Sequence, residues 1–333
     1  MVNNRFKSSL IDAIDLFCGI GGIRIGFQNA FRDKIRFVFS SEIDKFARET
    51  YFANFNEMPA GDITLIDAEA IPSHDVLLAG FPCQAFSMAG KRMGFEDSRG
   101  TLFFEVARIV KYHKPKIVFL ENVKGFVSHD KGKTFCIVKK TLEDLGYRVF
   151  YEVLNAKSFG LPQNRERIYI VAFLREAFIN PITFNFASLK ECQIESRVGD
   201  ILENNVDEKY TISDRLWQGH QRRKKEHRLK GNGFGYSLFN ADSSYTSTIS
   251  ARYYKDGSEI LIEQKCKNPR KLTPREAGRL QGFADDFKIV VSDAQAYKQF
   301  GNSVAIAVVE RIADMIRMGL CFRLYFLRVW IMA

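Results

Sequence analysis

Short runs of apolar residues alternate with longer stretches in which apolar positions recur every three or four residues, from residue 12 to residue 173. The short runs predict strands, and the longer stretches predict helices between them. The predicted strands cover residues 13–18, 36–40, 75–79, 117–120, 148–154 and 167–173, and the predicted helices cover residues 22–30, 44–55, 102–112 and 135–145. This alternation is typical of an α/β fold with a doubly wound, mostly parallel sheet, which binds ligands at the carboxyl ends of its strands.

The alternation fades after residue 173 and is absent between residues 185 and 270. A helical pattern returns in residues 271–283 and again in residues 295–318, which we expect to pack back on the first domain. We therefore predict two domains. The first covers residues 1–188 and is completed by a C-terminal helix over residues 294–333, and the second, smaller domain covers residues 189–293 and includes the helical motif of residues 270–287.

Composition narrows the class of protein. Hydrophobic residues make up 46% of the 333 residues and include 30 phenylalanines, so the chain can bury a large core and is neither disordered nor fibrous. Its 49 Lys and Arg exceed its 39 Asp and Glu, which gives a net charge of +10. Most of this excess falls between residues 211 and 280, where 15 basic residues stand against 7 acidic ones.

The densest basic run is QRRKKEHRLK at residues 221–230. Taken alone, a run of charges is most often the solvated face of a helix. Here the run is followed by the glycine-rich, aromatic stretch GNGFGYSLF and then by SYTSTISARYY. Basic, aromatic and hydroxyl side chains together also suit a surface that binds the phosphates and base edges of a nucleic acid.

The cysteines and the chain termini bear on location. The six cysteines are far apart and form no CxxC pair, which excludes a zinc or redox motif of that type and makes a disulfide framework unexpected. The N-terminus lacks the apolar segment of a signal peptide, so we expect a reducing, cytoplasmic location. The apolar residues 319–333 are fewer than the roughly 20 that span a bilayer, and they include Arg323 and Arg328. We interpret them as a packed or surface helix, with membrane contact as the minor alternative.

A glycine-rich turn, DLFCGIGG at residues 15–22, follows the first predicted strand. Such a turn lets backbone approach a ligand, although many only tighten the packing of a strand on a helix. Glu42 follows the second strand, roughly 20 residues on, where a carboxylate can bind both ribose hydroxyls of a nucleoside. Asp62 is a third candidate for this pocket. The GxGxxG spacing of dinucleotide-binding proteins is missing, which argues against NAD.

Three further groups lie at the ends of later strands. Cys83 follows a proline in a loop, Glu121 follows a buried strand, and Arg165 alternates with Arg167 in QNRERIY. Alternate residues of an extended chain face one way, so the two arginines can hold that glutamate or a phosphate. Each group has an ordinary explanation, as a buried cysteine, a solvated carboxylate or a surface ion pair. Their position at one edge of one sheet nevertheless favours a site.

Seven motifs indicate what kind of site this is. In chain order they are DLFCGIGG, AGFPCQAFS, GFEDSRGTLF, ENV, QNRERIY, RKLTPREAGRLQGF and QAYKQFGNSVA. In this order and near this spacing they resemble the DNA cytosine-5 methyltransferases of bacterial restriction–modification systems, over residues 11–312. The resemblance implies the fold of S-adenosylmethionine-dependent methyltransferases. It also implies transfer of a methyl group from S-adenosylmethionine to carbon 5 of a cytosine flipped out of a specific short duplex sequence, without a metal.

The resemblance assigns roles to individual residues. Cys83 is implied to be the nucleophile that adds covalently to carbon 6, and Glu121 to hydrogen-bond the base as a protonated carboxyl. Arg165 and Arg167 are implied to position this glutamate and the base. The residues that match cofactor contacts are Phe17, Gly19, Gly21, Gly22, Glu42, Ile43, Asp62, Ile63, Pro82, Leu102 and Asn302. The residues that match DNA contacts are Ser87, Lys91, Arg99 and Thr248. The second domain, residues 189–293, is implied to recognise the target sequence in the major groove.

The partners implied by the resemblance are duplex DNA and, functionally, a restriction endonuclease; we expect a monomer that binds no membrane. Two alternatives stay open. The first is methylation of tRNA, since one branch of the family acts on tRNA, but the large basic domain argues against it. The second is a catalytically silent homologue, which would bind DNA without methylating it. Four positions depart from the family pattern: Cys18 stands for alanine, Ile43 for an aromatic residue, Gly278 interrupts a helix and Ala284 stands for proline. These departures bear on the stability and activity of the protein more than on its assignment to the family.

Overall fold

A six-stranded sheet lies at the centre of the computed structural model, which describes residues 10–82, 102–178, 182–190, 193–231, 233 and 235–331. The strands are β1 (Ile11–Leu16), β2 (Ile35–Ser41), β3 (Val76–Ala79), β4 (Ile117–Val123), β5 (Tyr147–Asn155) and β6 (Glu166–Leu174). Their order is β2-β1-β3-β4-β6-β5, and β6 is antiparallel to both of its neighbours. The predicted α/β class with a mostly parallel sheet is therefore confirmed.

Helices cover both faces of this sheet. The α-helices of the described residues are α1 (Gly22–Phe31), α2 (Lys45–Phe55), α3 (Leu102–His113), α4 (Gly125–Ser128), α5 (Lys133–Asp144), α6 (Ala187–Lys190), α7 (Asp214–Leu229), α8 (Pro274–Leu280), α9 (Asp293–Asn302) and α10 (Ile306–Ile331). Residues of α1 and α10 pack on one face, and residues of α3 and α5 pack on the other. All four residues of β3 are buried, as expected for a central strand covered on both faces.

The ends of two strands differ from the prediction for identifiable reasons. β1 ends at Leu16, two residues early, because Phe17 has a φ of +53° and turns the chain. β4 continues three residues further than predicted, to Val123. Its polar residues Glu121 and Asn122 pair with β6, so they extend the ladder although their polarity suggested a strand end.

The prediction of one C-terminal helix over residues 294–333 is wrong. The chain forms α9 and α10 instead, because Ser303 is extended, with φ −70° and ψ 168°, and ends α9. α10 then packs closely across α1: a Cβ on Gly26 would lie 2.6 Å from Val309. The break turns the chain at residues 302–303 toward the carboxyl ends of the strands.

Residues 193–293 contain little regular structure besides α7 and α8. Two strands of two residues each, β7 (Leu238–Phe239) and β8 (Leu261–Ile262), form a second sheet. Phe239 and Ile262 of these strands share a hydrophobic cluster with Tyr253, Leu272 and, from α9, Phe300. This region and α9 therefore form a continuous core. Among the helices of the described residues, none is long and apolar enough to cross a membrane.

Candidate active site

A cavity of about 650 Å³ opens at the carboxyl ends of β1 to β4. Most of the predicted site residues that the structure describes line it: Phe17, Gly19, Gly22, Glu42, Ile43, Asp62, Ile63, Pro82, Leu102, Glu121, Arg165, Arg167 and Asn302. Gly21 and Thr248 are not part of this lining. Cys83, Ser87, Lys91 and Arg99 lie outside the described residues.

One end of the cavity is built around Glu42. Its Oε2 atom accepts a hydrogen bond from the backbone N–H of Gly19 at 2.9 Å, and its Oε1 atom accepts one from Asp44 at 2.8 Å. Two backbone donors thus fix the carboxylate between the glycine-rich turn and the start of α2. Each oxygen retains acceptor capacity for a ligand hydroxyl.

Apolar side chains and a second carboxylate complete this end. Ile63 is buried, whereas Ile43 is 72% exposed at the rim, and the ring of Phe17 also faces the cavity. Asp62 lies beside them, and its Oδ1 atom accepts hydrogen bonds from the N–H and the hydroxyl of Thr64. A carboxylate acceptor next to aromatic and aliphatic surfaces suits a nucleoside, whose base is flat and whose ribose donates hydrogen bonds.

Two of the predicted glycines serve packing. Gly21 has a φ of +86°, and a Cβ there would lie 2.3 Å from the ring of Phe55, away from the cavity. A Cβ on Gly22 would lie 2.6 Å from the hydroxyl of Ser303. These glycines let α1 approach α2 and the break between α9 and α10, so they shape the cavity wall from behind.

The other end of the cavity carries Glu121, near the end of β4. Its carboxylate lies 3.2 Å from the Nε atom of Arg167 and is 9% exposed as a residue. Burial raises the pKa of Glu121, and the charges of Arg167 and Arg165 oppose this increase. The carboxyl therefore retains a proton to a higher pH than an exposed glutamate does.

The two arginines do not act alike. Only Arg167 contacts the glutamate, whereas the guanidinium of Arg165 donates to the carbonyls of Ile249, Gly301 and Ser303. Arg165 is 2% exposed, and its burial, followed by the charge of Arg167, lowers its pKa to about 9. Arg165 thus joins three chain segments at the cavity wall.

Two polar residues at this site were missed from the sequence. Asn122 is buried and donates from Nδ2 to the carbonyl of Phe81 at 2.9 Å, which holds the chain that leads to Cys83. Lys298 pairs with Asp44 at 2.5 Å, and both line the cavity. Both Asn122 and Lys298 lie inside quoted motifs, ENV and QAYKQFGNSVA, and that position was the available signal.

Asp15 is a buried carboxyl behind the glycine-rich turn. It is 0% exposed, and neither carboxyl oxygen has a hydrogen-bond partner among the described residues. Burial raises the pKa of Asp15 well above its usual value, while the charge of Arg24 partly opposes this. Burial in the core therefore favours the protonated form of this side chain.

Comparisons with known proteins bear on the family of this chain. The family model of the C-5 cytosine-specific DNA methylases matches residues 11–318. Type II methyltransferase M1.ScrFI of Lactococcus lactis subsp. cremoris is 61% identical over 92% of this chain and 78% of its own length. Type II methyltransferase M.NlaX of Neisseria lactamica is 59% identical over 92% of this chain and 96% of its own length.

The fold also has solved counterparts. The Dnmt2 methyltransferase of S. pombe superimposes with a TM-score of 0.76 over 93% of this chain and 99% of that one, at 18% identity. At that identity the likeness concerns the fold alone. Because the family model matches most of the chain and the two relatives are 61% and 59% identical, the chain belongs to the C-5 cytosine-specific DNA methylases. It is a DNA cytosine-5 methyltransferase with S-adenosylmethionine as its methyl donor.

Proposed function

We propose that this enzyme methylates a cytosine that is flipped out of a specific short duplex sequence, and that Cys83 forms a transient covalent bond to the base. The observation that carries the proposal is the buried Glu121, held 3.2 Å from Arg167 at one end of a cavity whose other end presents Glu42. One end suits a nucleoside cofactor, and the other presents a proton donor to a base. Pro82 lines the cavity between them, and Cys83 is the next residue of the chain.

Residues at the Glu42 end are proposed to hold the methyl donor. Glu42 binds the ribose hydroxyls, Phe17 stacks on the adenine, and Asp62, Ile63, Leu102 and Asn302 enclose them. When bound, S-adenosylmethionine supplies an electrophilic methyl group. Because Gly19 and Asp44 already hold Glu42 through backbone N–H groups, the carboxylate needs little reordering to bind a ligand.

Residues at the Glu121 end are proposed to activate the cytosine. Protonated Glu121 donates to ring nitrogen 3, which draws electrons from the ring while the Cys83 thiolate adds to carbon 6. Carbon 5 would then be nucleophilic enough to take the methyl group, which would leave the donor as S-adenosylhomocysteine. Loss of the carbon 5 proton to a base, departure of the Cys83 thiolate and return of the ring nitrogen 3 proton to Glu121 would restore the neutral aromatic ring. Since this requires access to both faces of the base, the cytosine must leave the duplex.

Residues 189–293 are proposed to recognise the target sequence. α7 supports this, because its exposed residues Arg215, Arg222, Lys225 and Arg228 give one 16-residue helix a strongly positive surface. Such a surface neutralises DNA phosphates, while neighbouring side chains read base edges. Thr248, whose hydroxyl donates to the carbonyl of Asn164 at 2.6 Å, lies where this region meets the segment that leads into β6.

The biological context is proposed to be a restriction–modification system. The names of the two relatives, both type II methyltransferases, support a functional pairing with a restriction endonuclease. The enzyme is proposed to act as a monomer in the cytoplasm.

Mechanism-based trapping tests the covalent step. We expect wild-type protein, given the methyl donor and a duplex that carries 5-fluorocytosine in its target sequence, to form an adduct that survives denaturation. The variant Cys83→Ser should form none while it still binds the duplex. Bisulfite sequencing of DNA from cells that express the protein identifies the target sequence for the oligonucleotide. Methyl transfer to a tRNA pool in excess of duplex DNA, or DNA binding without any transfer, would contradict the proposal.

The variant Glu42→Ala tests the cofactor end separately. We expect its Kd for S-adenosylmethionine to rise about 10- to 100-fold, since hydrogen bonds to a charged group contribute about 1.5–3 kcal/mol. Calorimetric titration without DNA measures this constant. An unchanged Kd would contradict the ribose role of Glu42 and leave the role of Cys83 untouched.

A further inference from the structure

Four segments that are distant in sequence meet in one buried polar cluster behind the cavity. The segment that leads into β6 supplies Gln163, the end of α8 supplies Gln281, and both side chains are 0% exposed. The Nε2 atom of Gln163 donates to the carbonyl of Leu280 at 3.0 Å and lies 3.2 Å from the Oε1 atom of Gln281. The Nε2 atom of Gln281 donates in turn to the carbonyl of Phe300 at the end of α9, at 2.7 Å.

The fourth segment lies around Ile249, in residues 189–293, which we call the recognition region. The backbone N–H of Ile249 donates to the Oε1 atom of Gln163 at 3.1 Å, and its carbonyl accepts from the Nη1 atom of Arg165 at 3.1 Å. Both polar groups of one residue are thus held by two alternate residues of a single extended segment. Two more hydrogen bonds join the same two segments. The backbone N–H of Asn164 donates to the carbonyl of Thr246, and the hydroxyl of Thr248 donates to the carbonyl of Asn164.

The same extended segment continues to the base-binding end of the cavity. Gln163, Arg165 and Arg167 occupy alternate positions, and Arg167 lies against Glu121 at 3.2 Å. The other side of Arg165 donates to the carbonyls of Gly301 and Ser303, which border the cavity. Ile249 is hydrogen-bonded to both Gln163 and Arg165, and Arg167 of the same segment contacts Glu121. A displacement of Ile249 would therefore change the position of the recognition region relative to Glu121.

A close backbone approach leaves little room for such a shift. A Cβ on Gly301 would lie 2.3 Å from the backbone carbonyl of Ser250. The residue after Ile249 is therefore packed directly against α9. In an interior this dense, discrete positions are favoured over gradual sliding.

We propose that Gln163 is a positioning residue: through Ile249 it sets the placement of the recognition region relative to Glu121, so that a correctly bound duplex presents its cytosine at the distance required for reaction. This inference rests on the proposed function, because it assumes that residues 189–293 bind the target DNA. Gln163 touches neither substrate nor cofactor in this account. It acts through Ile249 and Arg165.

The variant Gln163→Met tests the proposal, because methionine keeps the volume and removes the three hydrogen bonds. We expect the single-turnover rate of methyl transfer, at saturating duplex and donor, to fall about 10- to 100-fold, as a small misplacement of reacting groups does. The Kd for S-adenosylmethionine, measured without DNA, should remain that of wild type. A change in rate without a change in donor binding separates positioning from a damaged cavity.

Tyr147→Phe is the matched control. Tyr147 is also 0% exposed, and its hydroxyl donates to the carbonyl of Pro115 at 2.7 Å, at the sheet edge opposite the cavity. This control loses a buried hydrogen bond and stability but should keep the wild-type rate. If Gln163→Met and Tyr147→Phe both transfer methyl groups within about twofold of wild type, the inference is overturned.

Two further variants keep the test decisive. Gln163→Glu keeps an acceptor for the Ile249 N–H and, when protonated, a donor for Leu280, so its rate relative to wild type should recover as the pH is lowered. A pH-independent defect would contradict the proposal. If Gln163→Met fails to bind the donor, Gln281→Met replaces it, with a smaller loss of rate expected because Leu280 still accepts from Gln163. An inactive wild type would overturn the proposed function itself, whereas an active wild type with an unimpaired Gln163→Met overturns this inference alone.

Discussion

The central sheet and residues 193–293 are stabilised in different ways. In the sheet, strands pair over as many as nine residues, as between β5 and β6, and helices cover both faces. In residues 193–293 the only strands described are two residues long, and side chains bound to backbone groups hold the chain in place. The ion pair between Arg270 and Glu276 is an example, since Glu276 is 0% exposed and also accepts from the backbone N–H of Glu203.

This difference separates two requirements of the enzyme. A cofactor pocket must keep one shape, and a sheet with a large apolar core provides that. A surface that reads a particular DNA sequence is specified by individual polar contacts, which can change without loss of the core. We therefore expect substitutions in the two regions to have separable effects, and the following four predictions test this in order of decreasing effect.

Phe119→Ala should destabilise the whole protein. Phe119 lies in β4, is 0% exposed and packs edge-on against Phe27, with ring centroids 5.2 Å apart. Loss of this ring should lower the free energy of unfolding by about 3–5 kcal/mol. Urea unfolding followed by circular dichroism and by donor binding should show both signals shifting together. Separate transitions would mean that β4 does not support the whole fold.

Glu276→Gln should act locally. It removes the charge that faces the buried Arg270, and we expect a loss of about 1.5–3 kcal/mol, the range for hydrogen bonds to charged groups. Trp217 in α7 packs against Tyr236 and reports on this region when Trp330 is replaced by phenylalanine. The fluorescence transition should move to lower urea than the loss of donor binding. Equal shifts would show that the two regions unfold as one unit.

Asp15→Asn should reveal how the buried Asp15 carboxyl makes stability depend on pH. Since burial raises the pKa of Asp15 in the folded protein, the folded state binds a proton that the unfolded chain has released, and wild-type stability falls as the pH rises above about 4. Asparagine does not titrate. The advantage of the variant over wild type should thus grow by about 1.4 kcal/mol per pH unit, up to the folded pKa. Urea unfolding at pH 5, 6 and 7 measures it, and a constant difference would mean that folded Asp15 is ionised.

Lys225→Gln should leave both regions folded and change only the contact with DNA. Lys225 is exposed on α7, so we expect unaltered unfolding. The slope of log affinity for duplex DNA against log salt should become shallower by about 0.9, the value for one phosphate contact. Lys111 is the matched control, an exposed lysine near the end of α3 and away from the cavity, whose replacement by glutamine should leave the slope as it was. Equal slopes for both variants would contradict phosphate binding by α7.

Sequence reasoning predicted the sheet better than the recognition region, and the reason is physical. Buried strands carry a periodic apolar signal, so every strand of the central sheet was predicted, although the antiparallel direction of β6 left no trace in its composition. Residues 193–293 are held by contacts between single residues far apart in the chain, such as that of Gln281 with Gln163 of the segment that leads into β6. No periodicity encodes such a pair.

The site shows the same division. Motifs placed Glu42, Glu121 and Arg167 at one cavity because Glu42 and Glu121 follow predicted strands and Arg167 begins the next one. They gave Arg165 the same task as Arg167, yet its guanidinium binds backbone carbonyls that only the folded chain brings together. Gly21 was likewise predicted to touch the cofactor, and its packing on Phe55 depends on the placement of α2.

The break between α9 and α10 has a consequence for the newly made protein. It places Asn302 and Ser303 in the same cavity wall as Phe17 and Gly19, although nearly the whole chain separates them. A polypeptide still emerging from the ribosome therefore lacks one wall of its pocket until residues 302 and 303 have been added. Contacts of such long range also form late in folding. Translation products that end before residue 302 should consequently be unable to methylate DNA.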